Sequence, residues 1–171
     1  MPSLRPEYLD DGTFGAWVLK CSPAVFDARG AISAGRMDGI WTINGRMTSR
    51  CDLMKPGERA FFWMSTGCAE YLRGFWGDGQ LKGLVKEIVP SDLSRKGWAK
   101  GARERQTHAV PVEITFFADG VLAAQLKADP VLRDIEVLAA PQVTPSWLTT
   151  TQVAALDRLC AAVRTTGVAG G

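Results

Sequence analysis

Tryptophan is the residue type in this sequence with the clearest chemical meaning. The chain of 171 residues contains six tryptophans, about twice the number that average composition gives. A flat indole face can stack on a nucleobase, and each stacked base contributes about 1–3 kcal/mol to binding. A tryptophan on a buried strand can equally be a core residue, so its position must decide between the two roles. The six are Trp17, Trp41, Trp63, Trp76, Trp98 and Trp147.

Positive charge is the second feature, and it is concentrated although the formal net charge is only +2. Residues 86–105 contain six cations and three acids around Trp98, and residues 29–59 again contain six cations and three acids. Basic loops beside aromatic residues are typical of a surface that follows nucleic-acid phosphates. The alternative is that these loops are solvated and serve solubility. The candidate phosphate contacts are Arg46, Arg95, Lys96, Lys100, Arg103 and Arg105.

A thiol nucleophile is the enzymatic alternative. Cys21 or Cys68 would supply the nucleophile, and His108, the single histidine, would supply the base. Nothing in their spacing brings these residues together, and a small buried cysteine is usually a packing residue. One histidine and no Cys-x-x-Cys pair also argue against a zinc site. We therefore predict a protein that is not an enzyme and that carries no metal or cofactor.

The composition excludes several classes of protein. A hydrophobic fraction of 46% is too high for a disordered chain, and no apolar run approaches the roughly 18 residues of a membrane helix. The N-terminal segment lacks the apolar core of a signal peptide, and the four cysteines are widely spaced. We expect a cytoplasmic protein with reduced thiols and no membrane partner.

Five β-rich segments, separated by glycine and proline, must position the tryptophans. In the most apolar segment, alternation separates Phe61 and Trp63 from Phe62 on the opposite face, so we expect both faces to be covered. Glycines within the fourth segment predict the bulges and bends that a small closed barrel requires. The segments are residues 16–21, 39–43, 58–64, 71–89 and 108–117.

Helices are predicted towards the end of the chain. Residues 121–127 predict a short helix, and the clearest helix begins at a cap formed by Thr149 or Thr150 and ends before Gly167. No internal repeat or composition break divides the sequence. We therefore predict a single α+β domain over residues 1–171, with its core at about 14–165. The apolar stripe of the last helix is Val153, Leu156, Leu159, Cys160 and Val163.

Taken in order, these segments resemble the EVE domain, a member of the PUA-like superfamily that is related to YTH and ASCH domains. No single motif identifies the family, but together, in this order over about 150 residues, the motifs make a fairly strong match. The motifs are WVLKCSP (17–23), GIWTINGR (39–46), MKPGERAFFWMSTG (54–67), LRGFWGDGQLKG (72–83), LKADPVLRDIEVL (126–138) and LTTTQVAALDRL (148–159).

The resemblance implies a small bent β-barrel with peripheral helices and a C-terminal helix. It also implies a pocket that accepts a modified, usually methylated, nucleobase flipped out of DNA or RNA. The implied ligands are 5-methylcytosine, 5-hydroxymethylcytosine, N6-methyladenine or a modified RNA base. Such a domain would serve a modification-dependent restriction or RNA-processing system, in which any cleavage comes from a separate nuclease or processing enzyme.

The resemblance places Trp41 and Trp63 at the family's pocket aromatics, and the needs of a flipped base suggest roles for the other candidates. Trp41 and Trp63 would stack on the base, Trp98 would be a wedge into the gap that the base leaves, and Trp76 would line the rim or fill the core. Lys20 and Ser22 would bind the base edge or its phosphate, and Ser65 and Thr66 would form the pocket floor. The full predicted pocket is Lys20, Cys21, Ser22, Trp41, Thr42, Trp63, Ser65, Thr66 and Trp76.

Two non-enzymatic alternatives remain open at this point. A PUA-type domain can bind RNA without recognising a modification, and a domain of this composition can also be a protein-interaction module. Loss of preference for a methylated oligonucleotide on removal of a pocket tryptophan distinguishes the first prediction from both alternatives.

Overall fold

Seven strands form one mixed sheet in the computed structural model, which describes residues 4–43, 48–66 and 71–166. Strands occupy all five predicted β-rich segments. The fourth segment is split, because residues 82–85 leave the sheet between two strands. The strands are β1 Phe14–Cys21, β2 Arg36–Ile43, β3 Arg59–Met64, β4 Gly74–Leu81, β5 Lys86–Glu87, β6 His108–Leu122 and β7 Ser146–Thr149.

The sheet is open, and the closed barrel expected from the sequence is wrong. The strands follow the order β2-β6-β4-β3-β1-β7, with β5 paired to β6. Strand β1 pairs with β3 on one edge and with β7 on the other, and the β7 pairing ends at Val18, so no ladder partner occupies residues 19–21 on that second edge. Within the described residues no ladder joins β2 to β1. An indole hydrogen bond spans this gap, from Trp41 Nε1 to the carbonyl oxygen of Lys20 at 3.3 Å. We call the gap the seam.

Short helices connect the strands, and a long one ends the described chain. The last helix is capped as predicted, because the Thr149 hydroxyl accepts from the Gln152 backbone N–H, and the Gln152 side chain accepts from the Thr149 N–H. None of the helices in the described residues has the length and apolarity needed to cross a membrane. The helices are α1 Glu7–Asp10, α2 Arg29–Ala34, α3 Thr48–Cys51, α4 Ala123–Ala128, α5 Glu136–Ala139 and α6 Thr150–Thr166, with 3₁₀ turns at Pro90–Asp92 and Arg103–Arg105.

The sheet separates two apolar cores, which define its two faces. On the helix-covered face, Phe61 and Trp63 of β3 belong to one buried cluster with Leu156 of α6. On the inner face, Phe62 belongs to a second cluster with Trp41 of β2. Phe61, Phe62 and Trp63 are each at most 1% exposed. The alternation predicted for β3, and the burial of both its faces, are therefore confirmed.

Glycines allow the central strands to approach closely and to bend. A Cβ atom on Gly79 of β4 would lie 1.7 Å from the carbonyl oxygen of Glu113 on β6, so only glycine fits there. Phe75 and Gly77 of β4 pair with the consecutive residues Trp63 and Phe62 of β3, so Trp76 is the extra residue of a bulge in β4. A bulge in this strand is what the glycine-rich sequence predicts.

Candidate functional site

A cavity of about 610 Å³ opens at the seam between β1 and β2. Cavities of this size are typical of ligand-binding sites. Its walls are the C-terminal half of β1, most of β2, and three loops at residues 22–27, 92–98 and 141–145. The cavity therefore lies where the sheet fails to close.

Three aromatic side chains line the cavity in continuous contact. The ring centroid of Phe26 lies 5.8 Å from that of Trp41 and 4.9 Å from that of Trp98. Behind Trp41, Phe62 of β3 packs edge to face at 5.2 Å. Trp41 is 7% exposed and lines the cavity, so its packing fixes the orientation of the ring at the cavity wall.

Backbone hydrogen bonds attach the basic loop to the cavity wall. The N–H of Asp27 donates to the carbonyl oxygen of Gly97 at 2.7 Å, and that of Ala99 donates to the carbonyl oxygen of Val25 at 2.9 Å. Phe26 and Trp98 pair between these two bonds as an isolated antiparallel bridge. The half-buried Trp98 is therefore held in the wall of the cavity.

Lys20 brings a half-buried cation to the cavity. Its Nζ donates to the carbonyl oxygen of Pro141 at 2.9 Å and to that of Val143. Burial lowers the pKa of Lys20 to about 8, although the charge of Glu136 acts in the opposite direction. At neutral pH, Lys20 is thus a charged donor that also holds the 141–145 loop in place.

A buried ion pair between α3 and α5 also holds the 141–145 loop in place. Arg50 of α3 donates to the Glu136 carboxylate through two hydrogen bonds, of 2.5 and 3.0 Å, and to the carbonyl oxygen of Pro145 at 3.0 Å. Both residues are more than nine-tenths buried. A bidentate pair in this setting fixes geometry strongly, so the third wall of the cavity is anchored on α3 and α5.

Gln106 is a buried polar residue in the lining of the cavity. It is 7% exposed, and its Nε2 donates to the carbonyl oxygen of Ala102 at 3.0 Å. This bond orients the amide, and among the described residues no donor is bonded to its Oε1. The side chain therefore offers an acceptor to a ligand, beside the hydroxyls of Ser22, Thr42 and Ser65.

Most of the predicted pocket comes together at the cavity. Ser65 closes the floor, and its N–H donates to the carbonyl oxygen of Cys21 at 2.8 Å. Thr66 directly follows Ser65 but is exposed and does not line the cavity, which contradicts its predicted place in the floor. The predicted residues that line the cavity are Lys20, Cys21, Ser22, Trp41, Thr42 and Ser65.

Trp63 does not lie in the cavity, and the prediction that it stacks on a base is wrong. It lies on the helix-covered face, 1% exposed, with its ring 4.8 Å from that of Phe75. Trp76 is also outside the lining, because it packs in the inner core and its Nε1 donates to the carbonyl oxygen of Leu72 at 2.7 Å. Of its two predicted roles, the structure supports core packing.

The predicted phosphate contacts surround the cavity unequally. Lys96 and Trp98 line it, whereas Arg95, Lys100 and Arg105 are exposed on the same loop. Arg103 is partly buried, and its Nε donates to the carbonyl oxygen of Pro90 at 2.9 Å, so it braces the loop. Arg46 lies outside the described residues.

The thiol alternative gains no support from the geometry. Cys21 lines the cavity, and its thiol donates to the carbonyl oxygen of Phe26 at 3.6 Å. His108 stands at the start of β6, where its Nδ1 is hydrogen-bonded to the Thr107 hydroxyl at 2.9 Å, and it is not in the cavity lining. Cys68 lies outside the described residues. Within residues 4–43, 48–66 and 71–166, no three potential ligands cluster to hold a metal.

Sequence reasoning missed three parts of the cavity. Phe26 was not among the predicted pocket residues, although an aromatic residue three positions after Pro23, just beyond the end of β1, was a usable signal. Gln106 carried no motif. The 141–145 loop contacts β1 through the hydrogen bond from Lys20 to Pro141, two residues that are 121 positions apart in sequence. No local pattern predicts such a contact.

Comparison with known proteins supports the fold. No family model and no curated protein sequence matches the chain. A protein of Pseudomonas syringae superposes with a TM-score of 0.60 at 19% identity, over 85% of this chain and 99% of that one. The DUF55 domain of human thymocyte nuclear protein 1 superposes with a TM-score of 0.57 at 16% identity, over 85% of this chain and 98% of that one. The human THYN1 protein in complex with 5-methylcytosine-containing DNA superposes with a TM-score of 0.52 at 16% identity, over 86% of this chain and 96% of that one.

These structures match the α+β fold described above. The structural neighbours include the DUF55, or EVE, domain, together with bacterial proteins of the same fold. The resemblance that the sequence motifs carry is therefore confirmed at the level of the fold.

Proposed function

We propose that this chain is a non-catalytic nucleic-acid-binding module that recognises a methylated base flipped into the cavity at the seam. The observation that carries the proposal is the cavity itself, where Trp41, Phe26 and Trp98 meet the donor Lys20 and the acceptor Gln106. A flipped base needs both stacking surfaces and partners for its polar edge, and this lining offers both.

The energetics favour a module that uses the whole cavity. Extruding a base costs a few kcal/mol, and stacking on one aromatic face returns about 1–3 kcal/mol. A buried methyl group adds only about 0.8 kcal/mol. Discrimination of a methyl group therefore requires a closely fitting apolar surface, and the apolar residues Leu19 and Ile40 line the cavity beside the stacking aromatics.

The polar groups favour a base that carries an amino group. An acceptor at Gln106 Oε1 matches the N–H of an exocyclic amine, and a charged donor at Lys20 matches a ring nitrogen or carbonyl oxygen beside it. Cytosine and adenine present this pair, whereas thymine and uracil present a carbonyl in place of the amine. Because a structural neighbour holds 5-methylcytosine-containing DNA, 5-methylcytosine in DNA is our first candidate ligand.

The basic loop would bind the backbone of the same strand. Lys96, at the cavity, and the exposed Arg95, Lys100 and Arg105 would contact phosphates, which adds affinity without sequence preference. We assign any cleavage or processing of the marked nucleic acid to a separate nuclease or RNA-processing enzyme. This chain would supply only the recognition.

A pair of tryptophan variants tests the proposal. Trp41→Leu removes the stacking face in the cavity, and Trp76→Leu removes a tryptophan of similar burial, 6% exposed against 7%, that does not line it. Affinities are measured for oligonucleotides that differ at one position, which carries cytosine, 5-methylcytosine, 5-hydroxymethylcytosine, thymine, adenine or N6-methyladenine. Thymine controls for the methyl group, because it carries the same methyl as 5-methylcytosine beside a carbonyl.

We expect the wild type and Trp76→Leu to prefer 5-methylcytosine over both cytosine and thymine. Trp41→Leu should lose about 5- to 150-fold in affinity for the methylated oligonucleotide, the equivalent of one stacked base. Equal affinity of the wild type for methylated and unmethylated oligonucleotides would contradict recognition of a modification and leave RNA or DNA binding of the PUA type. An equal loss in both variants would contradict the assignment of Trp41.

A further inference from the structure

A second cavity, of about 430 Å³, adjoins the first. The two cavities share Phe26, Asp27, Gly97 and Trp98 in their linings. The rest of the second cavity is mainly apolar, with Met64 of β3 and Ala28 among its lining residues. It belongs to none of the roles assigned above.

The wall between the cavities is thin and rigid. It consists of the Phe26 and Trp98 rings, with centroids 4.9 Å apart, and of the backbone at Gly97. Gly97 has a φ of +90°, and a Cβ atom there would lie 2.6 Å from the Phe26 ring. Only glycine allows the chain to lie directly on the ring in this way. The two backbone hydrogen bonds on either side of the bridge hold the wall in place.

We propose that the second cavity binds the base that neighbours the recognised one in the same strand, so that the protein recognises a dinucleotide. This inference rests on the proposed function. Consecutive bases stack about 3.4 Å apart along a strand, and a flipped base leaves one face of its neighbour unstacked. A wall made of aromatic rings can replace this stacking, with one base on each side of it.

In this arrangement Trp98 would act as the predicted wedge, standing between the two bases. The wedge predicted from sequence enters the gap left by a base, and Trp98 is the aromatic residue of the basic loop that lines both cavities. The exposed Lys96 and Lys100 stand on either side of it in sequence. These two cations are therefore placed near the phosphate that would join the two nucleotides.

The charge of the second cavity is compatible with a nucleotide. Its acid, Asp27, is held by Arg29, whose Nε and Nη2 donate to the two carboxylate oxygens at 2.9 and 2.8 Å. The hydrogen bonds from Arg29 lower the pKa of Asp27 to about 2. The carboxylate is thus ionised but neutralised by its partner, and its charge does not repel a phosphate.

The test compares ligands that differ only in the neighbouring base. Calorimetric titration measures the affinity of the full chain for 5-methyl-2′-deoxycytidine and for dinucleotides in which thymidine or an abasic residue precedes or follows the methylated nucleotide. We expect the intact dinucleotide of one polarity to bind about 5- to 150-fold more tightly than its abasic counterpart, since one additional base is stacked.

A filling variant locates this gain. Ala99 lines only the second cavity and is exposed, and its bond to Val25 uses the backbone, so Ala99→Leu occupies the space without breaking the wall. Ala154→Leu, at an exposed alanine on α6, is the matched control. We expect Ala99→Leu to abolish the gain from the neighbouring base and to leave the affinity for the nucleoside unchanged, whereas Ala154→Leu retains both.

The outcomes separate this inference from the function on which it rests. Nucleoside binding with equal affinity for intact and abasic dinucleotides overturns the inference and leaves the proposed function in place. A gain that survives in Ala99→Leu also overturns it. Failure of the wild type to bind the methylated nucleoside and every methylated dinucleotide overturns the proposed function, and this inference with it.

Discussion

Trp41 and Trp63 occupy equivalent positions in sequence but opposite environments in the structure. Each stands near the end of an apolar strand, and each is less than 10% exposed. Trp41 faces the seam, where the sheet is open and a cavity adjoins its ring. Trp63 faces the helices, within a cluster that contains Leu132 and Leu156. The difference shows that a strand tryptophan can reach a cavity only where nothing covers its face.

The two sides of the sheet are also stabilised differently. The helix-covered face is closed by apolar packing of α4, α5 and α6 against β1, β3 and β4. The cavity is instead bounded by hydrogen-bonded supports, which are the Lys20 bonds to the 141–145 loop and the Arg50–Glu136 pair. Apolar packing excludes a ligand, whereas directional supports can hold a cavity open beside an aromatic ring. Variants on the two sides of the sheet should therefore differ in whether they change stability or binding.

The largest effect is expected from Trp63→Ala. Removing a fully buried tryptophan costs about 3–5 kcal/mol in the free energy of unfolding, which urea denaturation measures. The fraction that remains folded should keep its preference for a methylated oligonucleotide, because Trp63 is remote from the cavity lining. Trp63→Phe is the control and should recover most of the stability. Loss of the preference in a folded Trp63 variant would show that the contrast between the two tryptophans is wrong.

Sequence reasoning predicted the fold better than the site, for a physical reason. Alternation in β3 correctly separated Phe61 and Trp63 from Phe62, because side-chain direction is a local property of a strand. Which of the two faces is open depends on how β1 is paired on both sides and where α6 packs. These are long-range contacts that no local pattern contains.

The same limit explains the other differences. A closed barrel was predicted from glycine-rich segments, and a bulge is present in β4, but closure also needs a ladder between β1 and β2, and β7 occupies one edge of β1 as far as Val18. Lys20, Ser22, Trp41 and Ser65 were placed correctly at one end of the sheet because they stand at or just beyond strand ends. Gln106 was missed because only the folded loop buries its amide.

An intermediate effect is expected when charge is removed from the basic loop. The double variant Lys96→Gln/Lys100→Gln should weaken binding of methylated and unmethylated oligonucleotides by similar factors, because phosphate contacts carry no base information. In a plot of log affinity against log salt concentration, the slope for the variant should be smaller in magnitude by about 0.9 for each duplex phosphate that it no longer neutralises. Fluorescence titration at several salt concentrations measures both quantities.

A matched variant controls for net charge in that experiment. Lys55→Gln/Lys127→Gln removes the same two charges from exposed positions outside the cavity lining, and it should leave the salt dependence close to that of the wild type. If both double variants change the slope equally, the loop has no special role, and the basic segment serves only solubility.

The smallest effect is expected from pH, and it acts in opposite directions on stability and binding. The pKa of Lys20 is about 8 in the folded chain and 10.5 in its ordinary state. Between these values the unfolded chain holds the proton and the folded chain does not, so the contribution of Lys20 to the free energy of unfolding rises with pH in this window. Binding should fall instead, because a charged donor forms a stronger hydrogen bond than a neutral one, by about 1 kcal/mol.

We therefore expect the affinity for a methylated oligonucleotide to fall about five-fold between pH 7 and pH 9 at constant salt. Lys20→Met should remove this pH dependence, and Lys55→Met, at an exposed lysine outside the cavity lining, should keep it. Affinity that is constant over this range in the wild type would mean that Lys20 only holds the 141–145 loop. The polar edge of the base would then meet only uncharged groups, which are the Gln106 amide and the nearby hydroxyls of the cavity lining.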